Sequence, residues 1–93
     1  MKLTVTVITR NEEANIEGAL ESVKWADEIV VVDSHSADQT VALAGRYAAR
    51  IVVHDWVGYS AQRNYAAEIA SHDWILAIDA DERVPAALRS VDV

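Results

Sequence analysis

Ninety-three residues allow one small domain, in which folding buries roughly 60 to 65% of the surface of the unfolded chain. Eight Lys and Arg against fifteen Asp and Glu leave a net charge of −7, and the basic residues are scattered, which excludes a nucleic-acid polymer bound through phosphate neutralisation. The absence of cysteine removes disulfides, thiolate metal sites and thiol nucleophiles.

The chain alternates strand and helix patterns. Met1 and Lys2 precede Leu3-Thr4-Val5-Thr6-Val7-Ile8-Thr9, a β-branched run that predicts the first strand. This run is too short to span a membrane and lacks a signal peptide's cleavage region, so a cytoplasmic protein is expected. Arg10-Asn11-Glu12-Glu13 breaks the strand. Ile16, Ala19, Leu20 and Val23 then recur at helical spacing, predicting a helix that ends near Lys24, with acids at its opening to suit the positive end of the dipole.

Glu28-Ile29-Val30-Val31-Val32-Asp33 is a second apolar strand closed by an aspartate. Ser36-x-x-Gln39 matches a capping box for the next helix, with Asp38 as an opening acid. That helix places Val41, Ala44 and Ala48 on one face and Leu43 and Tyr47 on an adjoining one. Ile51-Val52-Val53 predicts a short third strand, and a third helix is expected over 60–70, burying Ala66, Ile69 and Ala70.

The run from Trp74 to Ile78 reads as a fourth strand buried on both faces. It ends in Asp79-Ala80-Asp81-Glu82, three carboxylates within four residues. Val84-Pro85 reads as a fresh helix start with Pro85 at the first helical position. Three strand-helix units and a fourth strand imply a parallel sheet covered by helices, with Thr9, Asp33, His54 and Asp79 along one edge, where ligands of open α/β sheets bind. Two aspartates one residue apart repel each other unless a cation lies between them, and oxygen donors of this kind suit Mg²⁺ or Mn²⁺ held jointly with substrate phosphates. The same four residues also read as a strand end followed by a solvated turn. His35 reads as a solvent-facing turn residue, His54 and His72 as structural or exposed, and Trp25, Trp56 and Trp74 as core or rim packing, with Trp56 able to edge a pocket.

Four segments in this order, running from Leu3 to about Arg89, resemble the inverting glycosyltransferases of family 2. They are Val7 to Ile16, Val31 to Thr40, Gln62-Arg63-Asn64, and Ile78 to Val84. The Thr-Arg-Asn-Glu and Asp-Ala-Asp-Glu-Arg spellings look most like the lipopolysaccharide-core glucosyltransferase branch. The resemblance implies a three-layer α/β/α, Rossmann-like GT-A fold with strand order 3-2-1-4, in which residues 1–93 form a single N-terminal nucleotide-sugar-binding portion. It implies that Thr9, Arg10 and Glu12 line the nucleoside pocket, that Asp33 accepts from base or ribose, and that Arg63 and Asn64, at the start of the third helix, approach the nucleotide. Asp79 would face the ribose, and Asp81 would hold Mg²⁺ or Mn²⁺ against the diphosphate of a UDP-sugar. Many relatives carry a second aspartate after the Asp33 position and then a glycine, where Ser34 and His35 stand here.

The function so implied is inverting transfer of a hexose to a glycan or lipid-linked acceptor in cell-envelope polysaccharide synthesis. The full-length enzyme would associate peripherally with the inner membrane face. The general base is expected in a C-terminal half that this sequence does not include, so the 93-residue chain alone is expected to be inactive. With strand four at an edge, an exposed apolar flank would favour a homodimer. Two other readings compete: a noncatalytic nucleotide-binding α/β module, and a Mg²⁺-dependent phosphotransfer domain using Asp79 and Asp81.

Overall fold

A computed structural model describes residues 2–85. In chain order the elements are β1 (Leu3–Thr9), α1 (Ile16–Glu21), β2 (Glu28–Asp33), α2 (Thr40–Ala44) continued by a 3₁₀ turn (Gly45–Tyr47), β3 (Arg50–Val53), α3 (Tyr59–Ile69) and β4 (Trp74–Asp79). The four strands form one parallel sheet in the order β3-β2-β1-β4, as expected. The helix expected from Pro85 onward lies outside the described residues.

Alternation along the central strands explains why the sheet is covered on both sides. Val5 and Val7 of β1 and Ile29 and Val31 of β2 face a cluster with Ile16, Ala19 and Leu20 of α1 and Ala44 of α2. Val30 and Val32 face the opposite layer, against Ala66, Tyr65 and Ile69 of α3. Each fully buried Val, Leu or Ile here contributes about 1.5 to 3 kcal/mol of transfer free energy. The result is a three-layer α/β/α arrangement with α1 and α2 on one face and α3 on the other.

Three local expectations are corrected. Ser36 does not cap α2: the N-cap position is Gln39 with no side-chain cap, and the Ser36 hydroxyl donates instead to Asp33. Asp38 takes over, accepting from the Thr40 N–H and hydroxyl, which hold its carboxyl below its ordinary value. Ala48 does not share a buried helical face, because the chain tightens into 3₁₀ geometry at Gly45 and reverses at Ala48, exposed at φ 56°. Nor is β4 buried on both faces, since Trp74 is 61% exposed and Ile75 38%. Trp74 is therefore not core packing but lies at the rim of the sheet. It starts an edge strand that pairs only with β1 among the described residues.

At the amino edge of the sheet, Glu28 is the principal polar tie. Its carboxylate accepts from the Thr4 hydroxyl (2.8 Å), the Ser71 N–H (2.8 Å) and the Ser71 hydroxyl (2.8 Å), joining β1, β2 and the segment before β4. Burial pushes its pKa up, but the bonds from Ser71 and Thr4 and the nearby His72 outweigh it, so the carboxyl lies below its ordinary 4.5. A carboxylate lowered by folding contributes stability above its unfolded pKa, and that contribution is lost as pH falls through the folded value. Glu28→Gln is therefore expected to lose less of its thermal midpoint than the parent between about pH 5 and about pH 3. Identical acid limbs in the two proteins would show that Glu28 contributes nothing.

Candidate functional site

Parallel pairing brings all four strand ends to one edge. In register, Thr9 lies beside Asp33, Asp33 beside Val53, and Ile8 beside Asp79. Strands β2 and β3 extend to one side of β1, and β4 returns to the other with α3 on the opposite face. The order therefore reverses between β1 and β4, and the crevice outside their carboxyl ends is where such sheets bind ligands. A cleft of about 280 Å³ occupies that place, lined by Ile8, Glu12, Trp56, Tyr59, Asp79, Ala80 and Asp81.

The acidic turn is built so that alternate residues face opposite ways. Ala80 is 2% exposed and packs into the α1 layer with Ile78. Anchoring the middle residue leaves Asp79 and Asp81 open to the cleft. Glu82 turns aside: its carboxylate accepts from the Asp79 N–H (2.6 Å), while its own N–H donates to the Asp79 carbonyl (2.9 Å). Beyond the turn, the Val84 N–H donates to the Ser22 hydroxyl, and the Arg83 guanidinium lies over Gly18, where no larger side chain fits without displacing it. The turn is thus tied to α1.

On the other wall stands Tyr59, the first residue of α3. Gly58, at φ 102°, supplies the left-handed backbone that brings the chain into the helix there. The Tyr59 hydroxyl donates to Asp79 Oδ1 (2.7 Å), and this bond, with some burial and the charge of Asp79, raises the phenol above its ordinary value of 10.0. The Arg63 guanidinium sits over the same ring, 5.5 Å from its centre.

The residues expected to bind nucleotide separate into three groups, with Arg10 apart from all of them. Thr9 and Asp33 form a buried knot, 5% and 1% exposed, in which Asp33 Oδ1 accepts from the Thr9 hydroxyl (2.6 Å) and the Ser36 hydroxyl (2.6 Å), and Oδ2 from the Ser36 N–H (2.8 Å). Glu12 and Asp79 line the cleft, together with Asp81, while Arg10 is exposed just past β1. Arg63 and Asn64 lie in the second turn of α3, not at its start, and border a separate groove between α3 and β4. Tyr59 borders both hollows.

Reading by sequence missed the interlock between the first two loops. Asn11, at φ 52°, donates its N–H to the Ser36 hydroxyl and accepts from the Ala37 N–H, the Glu12 N–H donates to the Thr40 hydroxyl, and the Glu13 N–H to Asp38. Much of the Thr-Arg-Asn-Glu and Asp-Ser-His-Ser spelling thus holds one loop to the other. The tolerance of Asn for positive φ is the one local sign of it. His35 is exposed, as expected, and pairs with Asp55. His54 is structural: its ring stacks on Tyr65 at 3.9 Å and bonds to the buried Gln62.

The fit to a divalent cation rests on the donor set. Asp79 and Asp81 present oxygen ligands on one cleft, and Mg²⁺ and Mn²⁺ take one or two carboxylates and complete their shell with phosphate and water. Among the described residues no three His, Asp or Glu side chains gather into a metal-holding group of their own. Asp81 is the better placed of the pair, exposed and without a protein partner among the described hydrogen bonds, whereas Asp79 is engaged by Tyr59. The same residues would hold a nucleoside diphosphate through that ion.

Comparison with known proteins agrees with this geometry. An uncharacterized glycosyltransferase of Rickettsia bellii is 48% identical over 95% of this chain and 30% of its own length. The lipopolysaccharide core biosynthesis glycosyltransferase LpsC of Rhizobium meliloti is 40% identical over 98% of the chain and 36% of its own. The chain thus spans about a third of the length of the curated relatives it matches. Among solved structures, glucosyl-3-phosphoglycerate synthase from Mycobacterium tuberculosis, in complex with Mn²⁺, UDP and glucosyl-3-phosphoglycerate, superposes with a TM-score of 0.76 at 26% identity, covering 88% of this chain and 35% of that one. The parallel sheet in the order β3-β2-β1-β4 with helices on both faces is the N-terminal part of a GT-A, Rossmann-like fold. Since the profile of Glycosyl transferase family 2 matches residues 4–88, almost the whole length, the chain belongs to that family.

Proposed function

We propose that residues 1–93 form the donor-binding portion of a glycosyltransferase that takes a UDP-sugar with Mn²⁺ or Mg²⁺. The observation that carries this reading is the cleft at the β1/β4 reversal, where Glu12, Asp79 and Asp81 converge with Tyr59 and Trp56. Asp81 would hold the cation, which when bound would offset the negative charge of a leaving diphosphate. Asp79, oriented by Tyr59, accepts from a ribose hydroxyl. Arg63 and Asn64 approach the nucleotide from the α3 side. The knot of Thr9, Asp33 and Ser36 sets the floor on which base and ribose rest, with one lone pair of Asp33 Oδ2 left for them.

Within this reading the enzyme transfers a hexose with inversion to a glycan or lipid-linked acceptor in cell-envelope polysaccharide synthesis, a setting in line with the lipopolysaccharide core biosynthesis relative. The enzyme would work at the inner face of the membrane by peripheral association; no helix among the described residues is long and apolar enough to cross it. In the isolated 93-residue chain, the flank of β4, with Trp74 and Ile75 exposed, would pair two copies.

Calorimetric titration of the chain with UDP, with and without Mn²⁺, tests the donor reading. Mn²⁺ is expected to strengthen UDP binding by at least about tenfold, because a charge-assisted contact is added. Metal-independent affinity would favour a noncatalytic nucleotide module. Release of phosphate from ATP with Mg²⁺ would favour phosphotransfer.

A further inference from the structure

Tyr59 is placed where a binding residue would be, yet its hydroxyl is turned to a carboxylate of the chain itself. It stands at the wall shared by the acidic cleft and the Arg63 groove, and 46% of it is exposed, so burial does not account for its position. Its hydroxyl donates to Asp79 Oδ1 at 2.7 Å, and its ring carries the Arg63 guanidinium at 5.5 Å. Gly58, at φ 102°, sets the start of α3 at this residue. One side chain therefore engages an anion on β4 and a cation on α3.

We infer that Tyr59 is a positioning residue for ribose recognition: it fixes the rotamer of Asp79 through its hydroxyl and holds Arg63 against the same ligand through its ring. The inference rests on the donor reading above, in which Asp79 faces the ribose. An aspartate at a strand end has a freely turning terminal carboxylate. With Oδ1 engaged by the phenol, Oδ2 keeps a set direction and remains the acceptor for a sugar hydroxyl. Ribose selectivity then depends on a residue that need not touch the ribose.

The test compares UDP with 2′-deoxy-UDP and 3′-deoxy-UDP by calorimetry in Mn²⁺, for the parent, Tyr59→Phe and Tyr59→Leu. The parent is expected to favour UDP over at least one deoxy analogue. Tyr59→Phe keeps the ring under Arg63 and removes only the hydroxyl, and should reduce that preference about fivefold, the size of one ordinary hydrogen bond. Tyr59→Leu should also weaken all three ligands together, because Arg63 loses its ring. A residue that merely supported the fold would lower all three ligands equally in Tyr59→Phe and leave the ratio unchanged, and that result overturns the inference. Asp79→Asn combined with Tyr59→Phe should lose no more selectivity than Asp79→Asn alone, since the two act as one unit. Additive losses overturn the coupling. A parent that binds UDP and both deoxy analogues equally overturns the ribose assignment of Asp79 itself, and the Tyr59 inference falls with it.

Discussion

Asp33→Ala is expected to lower the thermal midpoint of the chain by more than about 10 °C. The carboxylate is 1% exposed and accepts three hydrogen bonds, from the hydroxyls of Thr9 and Ser36 and from the Ser36 N–H. Alanine removes both acceptor oxygens and with them all three bonds. A buried donor left unsatisfied costs about 1 to 3 kcal/mol, and water can reach the half-buried Ser36 more readily than Thr9, so the net loss should be about 3 kcal/mol. For a domain of this size each kcal/mol moves the midpoint by about 4 to 8 °C. The damage should not stay local, because Ser36 also accepts from Asn11 and thereby holds the loop after β1. Metal-free UDP affinity should fall as well, by roughly 1.5 to 3 kcal/mol if a charged acceptor is lost. Thermal unfolding followed by circular dichroism, with calorimetry at a temperature where the variant is folded, separates the two effects. An unchanged midpoint would show that the three short bonds contribute nothing net. An unchanged metal-free affinity would show that Asp33 is purely a structural strand end.

Asp81→Asn should produce the opposite pattern, with stability intact and binding lost. Asp81 is exposed in the turn after β4, and the adjacent Ala80, not Asp81, anchors the turn in the core. Exposed substitutions of this kind stay within about 0.5 kcal/mol. In the presence of Mn²⁺, however, the amide presents no charge to the cation. UDP affinity should drop about 10- to 100-fold, to the level seen without metal, as expected for a lost charged ligand. Equal affinity of variant and parent in Mn²⁺ would remove Asp81 from the metal site. A fall in midpoint comparable to that of Asp33→Ala would instead mean that the acidic turn holds the fold.

The two aspartates that close β2 and β4, on either side of β1, look alike in sequence, and their difference shows where local reading stops. Both follow an apolar run and both close a strand: β2 ends at Asp33 and β4 at Asp79, as their runs indicate. Asp33 is nonetheless sealed by partners on β1 and in its own following loop, while Asp79 opens on a cleft and is engaged by a tyrosine twenty residues earlier in the chain. The capping box at Ser36 failed for the same reason. Its spacing is correct, but a carboxylate three residues back competes for the hydroxyl and wins, and Asp38 serves the helix start instead.

Taken by itself, the sequence determined the type of nearly every element and the position of the acids at strand ends, because β-branched runs and helical spacing act through neighbours within a few residues. It placed β1 and β2 to the residue, and α3 to within one. The order of the strands came from resemblance of motifs, which periodicity does not encode. Tertiary structure alone decided that Ser36 bonds Asp33 and does not cap α2, that Arg63 and Asn64 face a groove apart from Asp81, and that Tyr59 joins the two. In a parallel sheet every strand pairing spans a crossover, so the contacts that settle burial and hydrogen-bond partners link residues twenty or more positions apart, beyond the reach of local propensity.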